Sequence, residues 1–225
     1  MKKLLAAIIA AALLLSGCSL SSRPAVSAPP AETPSPSPTP IVTPTPAPEP
    51  SDDELVLVRD YIPGIFIDLK YATTDNFTGR VIYDSDEAYL RYGTVKKLLC
   101  AQNELSGRGL SLKIWDAYRP VSAQFKLWEI CPNPVYVSDP NNGYSKHSRA
   151  NTVDITLVTD TGESISMPSG FDDFTSLADR DYSDVSAEAA ENARLLENVM
   201  VENGFVPYSG EWWHYSDSVA YDVYG

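Results

Sequence analysis

The chain holds only two histidines in 225 residues, and each stands near an acid. His147 and Asp154 lie in "SKHSRANTVDITL", Glu211 and His214 in "GEWWHYS". A catalytic zinc takes three protein ligands, imidazole nitrogens and carboxylate oxygens among them, and leaves a fourth position for water. His147, Asp154 and His214 would make such a set. A turn over Ser148–Asn151 leading into a strand can return His147 and Asp154 to one point, and His214 can reach that point from a neighbouring strand. Glu211 precedes His214 by three residues, and three steps along a regular strand reverse the face. A bulge or strand end near Trp212 is therefore expected. Glu211 would then flank the metal without ligating it, where a general base belongs. Taken singly, each motif is also what an ordinary surface would carry. Taken together, they use both histidines of the chain.

Several elements must position these residues. "GIFIDLKY" alternates, with Ile65, Ile67, Leu69 and Tyr71 on one face, and predicts a half-buried strand. From about Asp86 to Ser106 the spacing of Val95, Leu98, Leu99, Gln102 and Leu105 predicts a helix, ended by "GRG". "LSLKIWDAY" predicts a strand, and Pro120 opens a helix to about Ile130. "ANTVDITLV" predicts another strand. Ser186 can cap a helix to Asn203, which Gly204 stops, and "FVPYSGEWWHYS" predicts two short closing strands. No glycine-rich phosphate loop follows any strand, which argues against a doubly wound nucleotide-binding fold. The expected class is α+β: a small, mainly antiparallel sheet with helices packed against it.

The first residues, "MKKLLAAIIAAALLLSGCSL", have two lysines, an apolar run from Leu4 to Leu15 and then small residues, the order of a secretory signal. The run is shorter than the ~20 apolar residues that a membrane span needs. "LSGC" resembles the lipobox of bacterial lipoproteins, which implies lipidation of Cys18. Residues 19–53 are rich in proline and almost free of core-forming side chains, and read as an extended, solvated tether. The domain proper is then 54–225. The balance of 17 Lys and Arg against 30 Asp and Glu excludes nucleic acid as a partner. Cys100 and Cys131 read either as a disulfide or as two small buried hydrophobes.

The stretches "DLKYATTDNFTG", "KIWDAYRP", "SKHSRANTVDITL" and "EWWHY" together resemble the D-alanyl-D-alanine dipeptidases of vancomycin-resistance type. These are zinc peptidases related to D,D-carboxypeptidases and to the hedgehog signalling domain. The resemblance runs from about Asp68 to Tyr215 and implies a hedgehog/D,D-peptidase-like fold. In the family pattern S-x-H-x-x-G-x-x-x-D, the His and Asp bind zinc, which implies His147 and Asp154. In E-x-W-H the Glu is the base and the His the third ligand, which implies Glu211 and His214. The Arg of W-D-x-Y-R-P steadies the polarised carbonyl, which implies Arg119; a surface salt bridge with Asp116 is its plainer alternative. Ser145, Asp172 and Tyr71 fall on substrate-binding positions. For Asp172 a solvated acidic turn is the plainer reading, and Asp173 stands next to it.

The sequence departs from the family at two places. Ala150 occupies the usual glycine position, and the connection from Pro132 to Tyr144 is short. The function implied is hydrolysis of D-alanyl-D-alanine with one Zn²⁺. Outside the membrane this would serve wall turnover or dipeptide scavenging. The alternatives are a D,D-carboxypeptidase acting on peptidoglycan stem peptides and a non-catalytic metal- or peptidoglycan-binding module. The expected membrane contact is the lipid anchor alone.

Overall fold

A computed structural model describes residues 48–225. The signal-like segment, Cys18 and most of the proline tract lie outside the described residues. In chain order the elements are β1 (Leu55–Leu57), α1 (Val58–Tyr61), β2 (Phe66–Ile67), β3 (Tyr89–Arg91), α2 (Tyr92–Ser106), β4 (Leu110–Asp116), α3 (Val121–Ile130), β5 (Thr152–Thr159), α4 (Ala187–Glu202), β6 (Phe205–Tyr208) and β7 (Glu211–Asp217). Five strands form one sheet in the order β2-β4-β5-β7-β6, parallel only between β2 and β4. β1 and β3 pair separately, antiparallel. The class is α+β, as expected. Among the described residues no helix is long and apolar enough to cross a membrane.

The helices α2 and α4 pack against each other; α2 also lies on β4, and α4 on β5, β6 and β7. Their buried stripes include Val95, Leu98 and Leu105 on α2 and Ala193, Leu196 and Met200 on α4. Burying a leucine of this kind stabilises the fold by roughly 1.5–3 kcal/mol. Opposite them, Leu112 and Ile114 of β4 pair with Leu157 and Ile155 of β5, all fully buried. At the end of β7 the buried Asp217 accepts a hydrogen bond from Thr94 Oγ1 at 2.8 Å and pairs with Lys97. Ser186 caps α4 through the Ala189 amide, and Gly204 follows with φ +86°.

Two expected boundaries differ. Tyr89–Arg91, inside the expected helix, is strand β3, because it pairs with β1; the helix starts at Tyr92. "GIFIDLKY" contributes only Phe66–Ile67 to the sheet and then tightens into a 3-10 turn over Lys70–Ala72. Ile65, Leu69 and Tyr71 are nonetheless buried. Residues of the expected tether also touch the domain: the Asp52 carbonyl accepts from the Gly93 amide, and the Asp53 carbonyl from Arg91. Cys100 on α2 and Cys131 after α3 are free thiols, the first exposed rather than buried.

The register of the sheet prepares the site. Asp154 stands opposite His214 on one side and Asp116 on the other. The second pairing depends on a β-bulge between Ile114 and Asp116. In a regular ladder Trp115 would face Asp154, and Asp116 would lie on the core face with Ile114. The extra residue turns Asp116 to the face of Asp154.

Candidate metal centre

His147 lies on a 3-10 turn, Lys146–Arg149, whose N-cap Ser145 accepts the His147 amide at 3.3 Å. Ala150 ends the turn at φ 58°, ψ 28° and is fully buried. This is the left-handed conformation that glycine adopts freely and other residues adopt at a cost. The departure from the family glycine thus leaves the turn in a glycine-like shape. Arg91 braces it from behind. Its amide donates to the Ala150 carbonyl at 2.7 Å, and its guanidinium donates to the carbonyls of Arg149, Asp53 and Asp222.

His147 is almost completely buried, with Nδ1 at 2.8 Å from the Ala117 carbonyl. A carbonyl only accepts, so Nδ1 carries the proton and Nε2 keeps its lone pair. Nε2 lies 3.3 Å from Asp154 Oδ2, and His214 Nδ1 lies 2.9 Å from Asp154 Oδ1. One ligand atom from each of the three residues falls within 4.8 Å of the others. Two imidazole nitrogens and one carboxylate oxygen suit zinc. The backbone carbonyl behind His147 is the usual outer partner that fixes the tautomer of a metal-binding histidine. Burial works against ionisation of Asp154, but the two imidazoles outweigh it and hold its carboxyl well below the usual range. The donor set therefore fits the ion.

Glu211 Oε2 is 3.4 Å from His214 Nδ1. The expected irregularity is present: β6 and β7 change register between Pro207 and Tyr208, where Pro207 faces Tyr215 and Tyr208 faces Glu211. This returns Glu211 to the side of His214. Burial, then repulsion from Asp154, raises the Glu211 carboxyl above its ordinary value. Trp212 and Trp213 are buried, Trp212 Nε1 donating to Ser169 Oγ at 2.9 Å. They are packing residues. A cavity of about 250 Å³ opens onto Glu211, His214 and Ser145, bordered by Tyr208 and by Pro134–Tyr136 of the short connection.

Arg119 does pair with Asp116, at 2.6 Å, but the pair is buried rather than on the surface. It also donates to Gln124 Oε1 at 2.9 Å and to Tyr83 OH at 3.3 Å, and it lies over the Tyr71 ring at 5.1 Å. Asp116 accepts from Tyr83 OH and the Ala117 amide, and lies 3.7 Å from His147 Nδ1. It thus links Arg119 to the first histidine. The sequence alone presents Asp116 only as a competitor for Arg119, because the bulge that aims it is invisible in the strand pattern. Arg180 was missed entirely. It donates to the carbonyls of His214 and Tyr208 and holds β7 in place; an isolated arginine in a loop carries no motif.

Tyr71 OH donates to Asp172 Oδ2 at 2.8 Å. Asp172 has φ 53°, and burial above all pushes its carboxyl up to about 7. With Phe171, Lys70, Phe77 and Trp115 it lines a separate cavity of about 430 Å³. Asp173 turns instead to the Thr175 amide and hydroxyl.

A family model described as D-ala-D-ala dipeptidase matches residues 51–222. A D-alanyl-D-alanine dipeptidase of Escherichia coli (strain K12) is 39% identical over 72% of this chain and 83% of its own length. One from Enterococcus faecium is 35% identical over 69% of this chain and 87% of its own. Among solved structures, VanYB in complex with D-Alanine-D-Alanine aligns over 60% of this chain and 75% of its own, with a TM-score of 0.41 at 17% identity.

Proposed function

This chain belongs to the D-Ala-D-Ala dipeptidase family, and from that premise we propose that it hydrolyses D-alanyl-D-alanine to two D-alanines, with one zinc ion held by His147, Asp154 and His214. The observation that carries this reading is the convergence of those three donors beside a fourth group, Glu211, which is near the centre and not needed to complete it.

Zinc held there supplies a Lewis acid, which lowers the pKa of water from about 15.7 toward 7 and polarises a carbonyl. The chain does the rest. Glu211 takes the proton of the attacking water and returns it to the leaving amine. Its raised proton affinity suits a group that must accept and then release. Arg119, fixed by Asp116, Gln124 and Tyr83, presents its remaining N–H groups to the oxygen on which negative charge develops. Because three partners hold it beforehand, no reorganisation is required during the reaction. Asp172, backed by Tyr71, pairs with the substrate ammonium, and Ser145 borders the cavity where the peptide lies. A merely metal-binding module would need neither Glu211 nor Arg119.

The order of charged, apolar and small residues before Cys18 supports a lipid-anchored protein on the outer side of a bacterial membrane, its domain carried on the proline-rich segment. Cytosolic dipeptide is out of reach from that position, so the substrate would come from wall turnover or scavenging. The test is hydrolysis of D-Ala-D-Ala by the purified domain before and after exhaustive chelation, alongside His147→Ala. The expected result is loss of both zinc and turnover in each case. Full activity in the chelated protein would sink the metal reading.

A further inference from the structure

The backbone between His147 and Asp154 passes through Ala150 at φ 58° and ψ 28°. In a residue that carries a Cβ this left-handed shape is disfavoured by roughly 5- to 30-fold in an equilibrium constant, so the surroundings must impose it. The carbonyls of the turn show how. From His147 to Asn151 every carbonyl accepts a hydrogen bond from a group distant in sequence. That of His147 accepts from the Arg119 amide at 3.2 Å, Ser148 from the Tyr224 amide at 2.9 Å, Ala150 from the Arg91 amide at 2.7 Å and Asn151 from the Asp217 amide at 2.7 Å. That of Arg149 accepts from Arg91 Nε at 3.2 Å. Arg91 alone therefore holds the two carbonyls that flank the left-handed backbone.

Arg91 is held in turn by the segment that follows β7. Its Nη2 donates to the Asp222 carbonyl at 2.8 Å, and its guanidinium lies over the rings of Tyr221 and Tyr224, at 5.4 and 4.8 Å. Arg149 Nη1 donates to the Tyr221 carbonyl at 2.8 Å. Tyr118 OH donates to the Tyr224 carbonyl at 2.9 Å, and Tyr118 follows Ala117, whose carbonyl fixes the His147 ring. None of these residues lines the cavity at Glu211 and His214. They act on the turn from behind.

We propose that Arg91, clamped by Tyr221–Tyr224, is the positioning residue that keeps the His147 turn in its metal-binding shape against the preference of Ala150. The inference rests on the metal centre proposed above. Released from the clamp, Ala150 leaves the left-handed conformation and carries His147 away from Asp154. Metal binding must then restore the turn as well, and the affinity falls with the population of the competent shape. A lysine at position 91 keeps the charge and the backbone amide. It lacks the planar fork that reaches the carbonyls of Arg149 and Asp222 together. A glycine at position 150 removes the conflict at its source. The two positions are therefore coupled, and the second substitution repairs the first.

The experiment is a double-mutant cycle over Arg91→Lys and Ala150→Gly. Zinc affinity is measured by competition with a chelator, the ligand geometry by the visible absorption of the Co²⁺-loaded protein, and the fold by melting of the metal-free protein. Arg91→Lys is expected to bind zinc roughly 5- to 30-fold more weakly than wild type, the scale of the left-handed preference, with an altered Co²⁺ spectrum. The double variant should recover most of that affinity and the wild-type spectrum. If Arg91→Lys does not fold, Tyr224→Leu takes its place in the same cycle, since it removes one of the two rings that hold the guanidinium. Wild-type affinity in the folded Arg91 variant overturns the clamp and leaves the metal centre standing. A loss that Ala150→Gly does not repair also overturns it, because Arg91 then supports the fold at large rather than this turn. A wild type that binds neither zinc nor Co²⁺ overturns both the clamp and the metal centre.

Discussion

Replacing Asp172 by Asn should make the enzyme worse and the protein more stable. Asn adopts the left-handed backbone nearly as readily as Asp, so φ 53° is kept, and its amide oxygen can still accept from Tyr71. Only the charge is lost. The Asp172 carboxyl is raised from 3.8 to about 7, mainly by burial, with the Tyr71 bond opposing and Asp154 repelling. At about 1.4 kcal/mol per tenfold change in proton affinity, ionising it in the folded chain costs at most roughly 4 kcal/mol.

The folded chain binds this proton more tightly than the unfolded one, so stability falls as pH rises from 3.8 and levels off above about 7. A zinc ion offsets the repulsion from Asp154, and solvent reaches part of the side chain. A gain of roughly 1–3 kcal/mol is therefore expected for Asp172→Asn at pH 8, in the range for an imperfectly compensated buried polar group. For a domain of this size that is about 2–4 °C in melting temperature per kcal/mol. Near pH 4 the two proteins should melt together. In the same samples kcat/KM on D-Ala-D-Ala should drop by about 10- to 150-fold, the worth of a charge-assisted bond, with N-acetyl-D-Ala-D-Ala little affected. Calorimetry at the two pH values and steady-state kinetics on the two substrates decide the matter. A variant that melts no higher than wild type at pH 8, or keeps its preference for the free dipeptide, refutes the role given to this carboxylate.

Glu211→Ala should retain zinc and lose about 10²–10⁴ in turnover, the usual contribution of a positioned acid–base group; a parallel loss of metal would make Glu211 a ligand instead. Cys18→Ser should move the full-length protein from the membrane fraction to the soluble fraction, and continued membrane association would exclude the lipid anchor.

Much of this is legible in the sequence. The helix α4 carries its cap, stripe and stop in consecutive residues, and β5 alternates so plainly that Asp154 stands out among Val153, Ile155 and Leu157. Local chemistry dictates such elements. The strand β3 was hidden because Tyr89–Arg91 extends a helical spacing, and only pairing with β1, more than thirty residues earlier, makes it extended. Of the three residues of the proposed metal centre, the two histidines could be read because histidine is rare here, and Asp154 because it shares a short segment with the first of them. Asp116, Arg91 and Arg180 could not, since acids and arginines are common and their aim is set by a bulge and by distant carbonyls.

The bulge at Trp115 makes the register at the end of β4, rather than the side chains along it, the constrained property of the strand. Substitutions at Ser111 or Lys113 alter one side chain each. Straightening the bulge at the same residue count, so that Trp115 faced Asp154, would carry Asp116 to the opposite face, taking away the carboxylate that aims Arg119 and lies beside His147. Relatives of this chain should therefore vary freely in the length of Pro132–Tyr144, where change resizes the entrance, and keep a carboxylate opposite Asp154 at the end of β4.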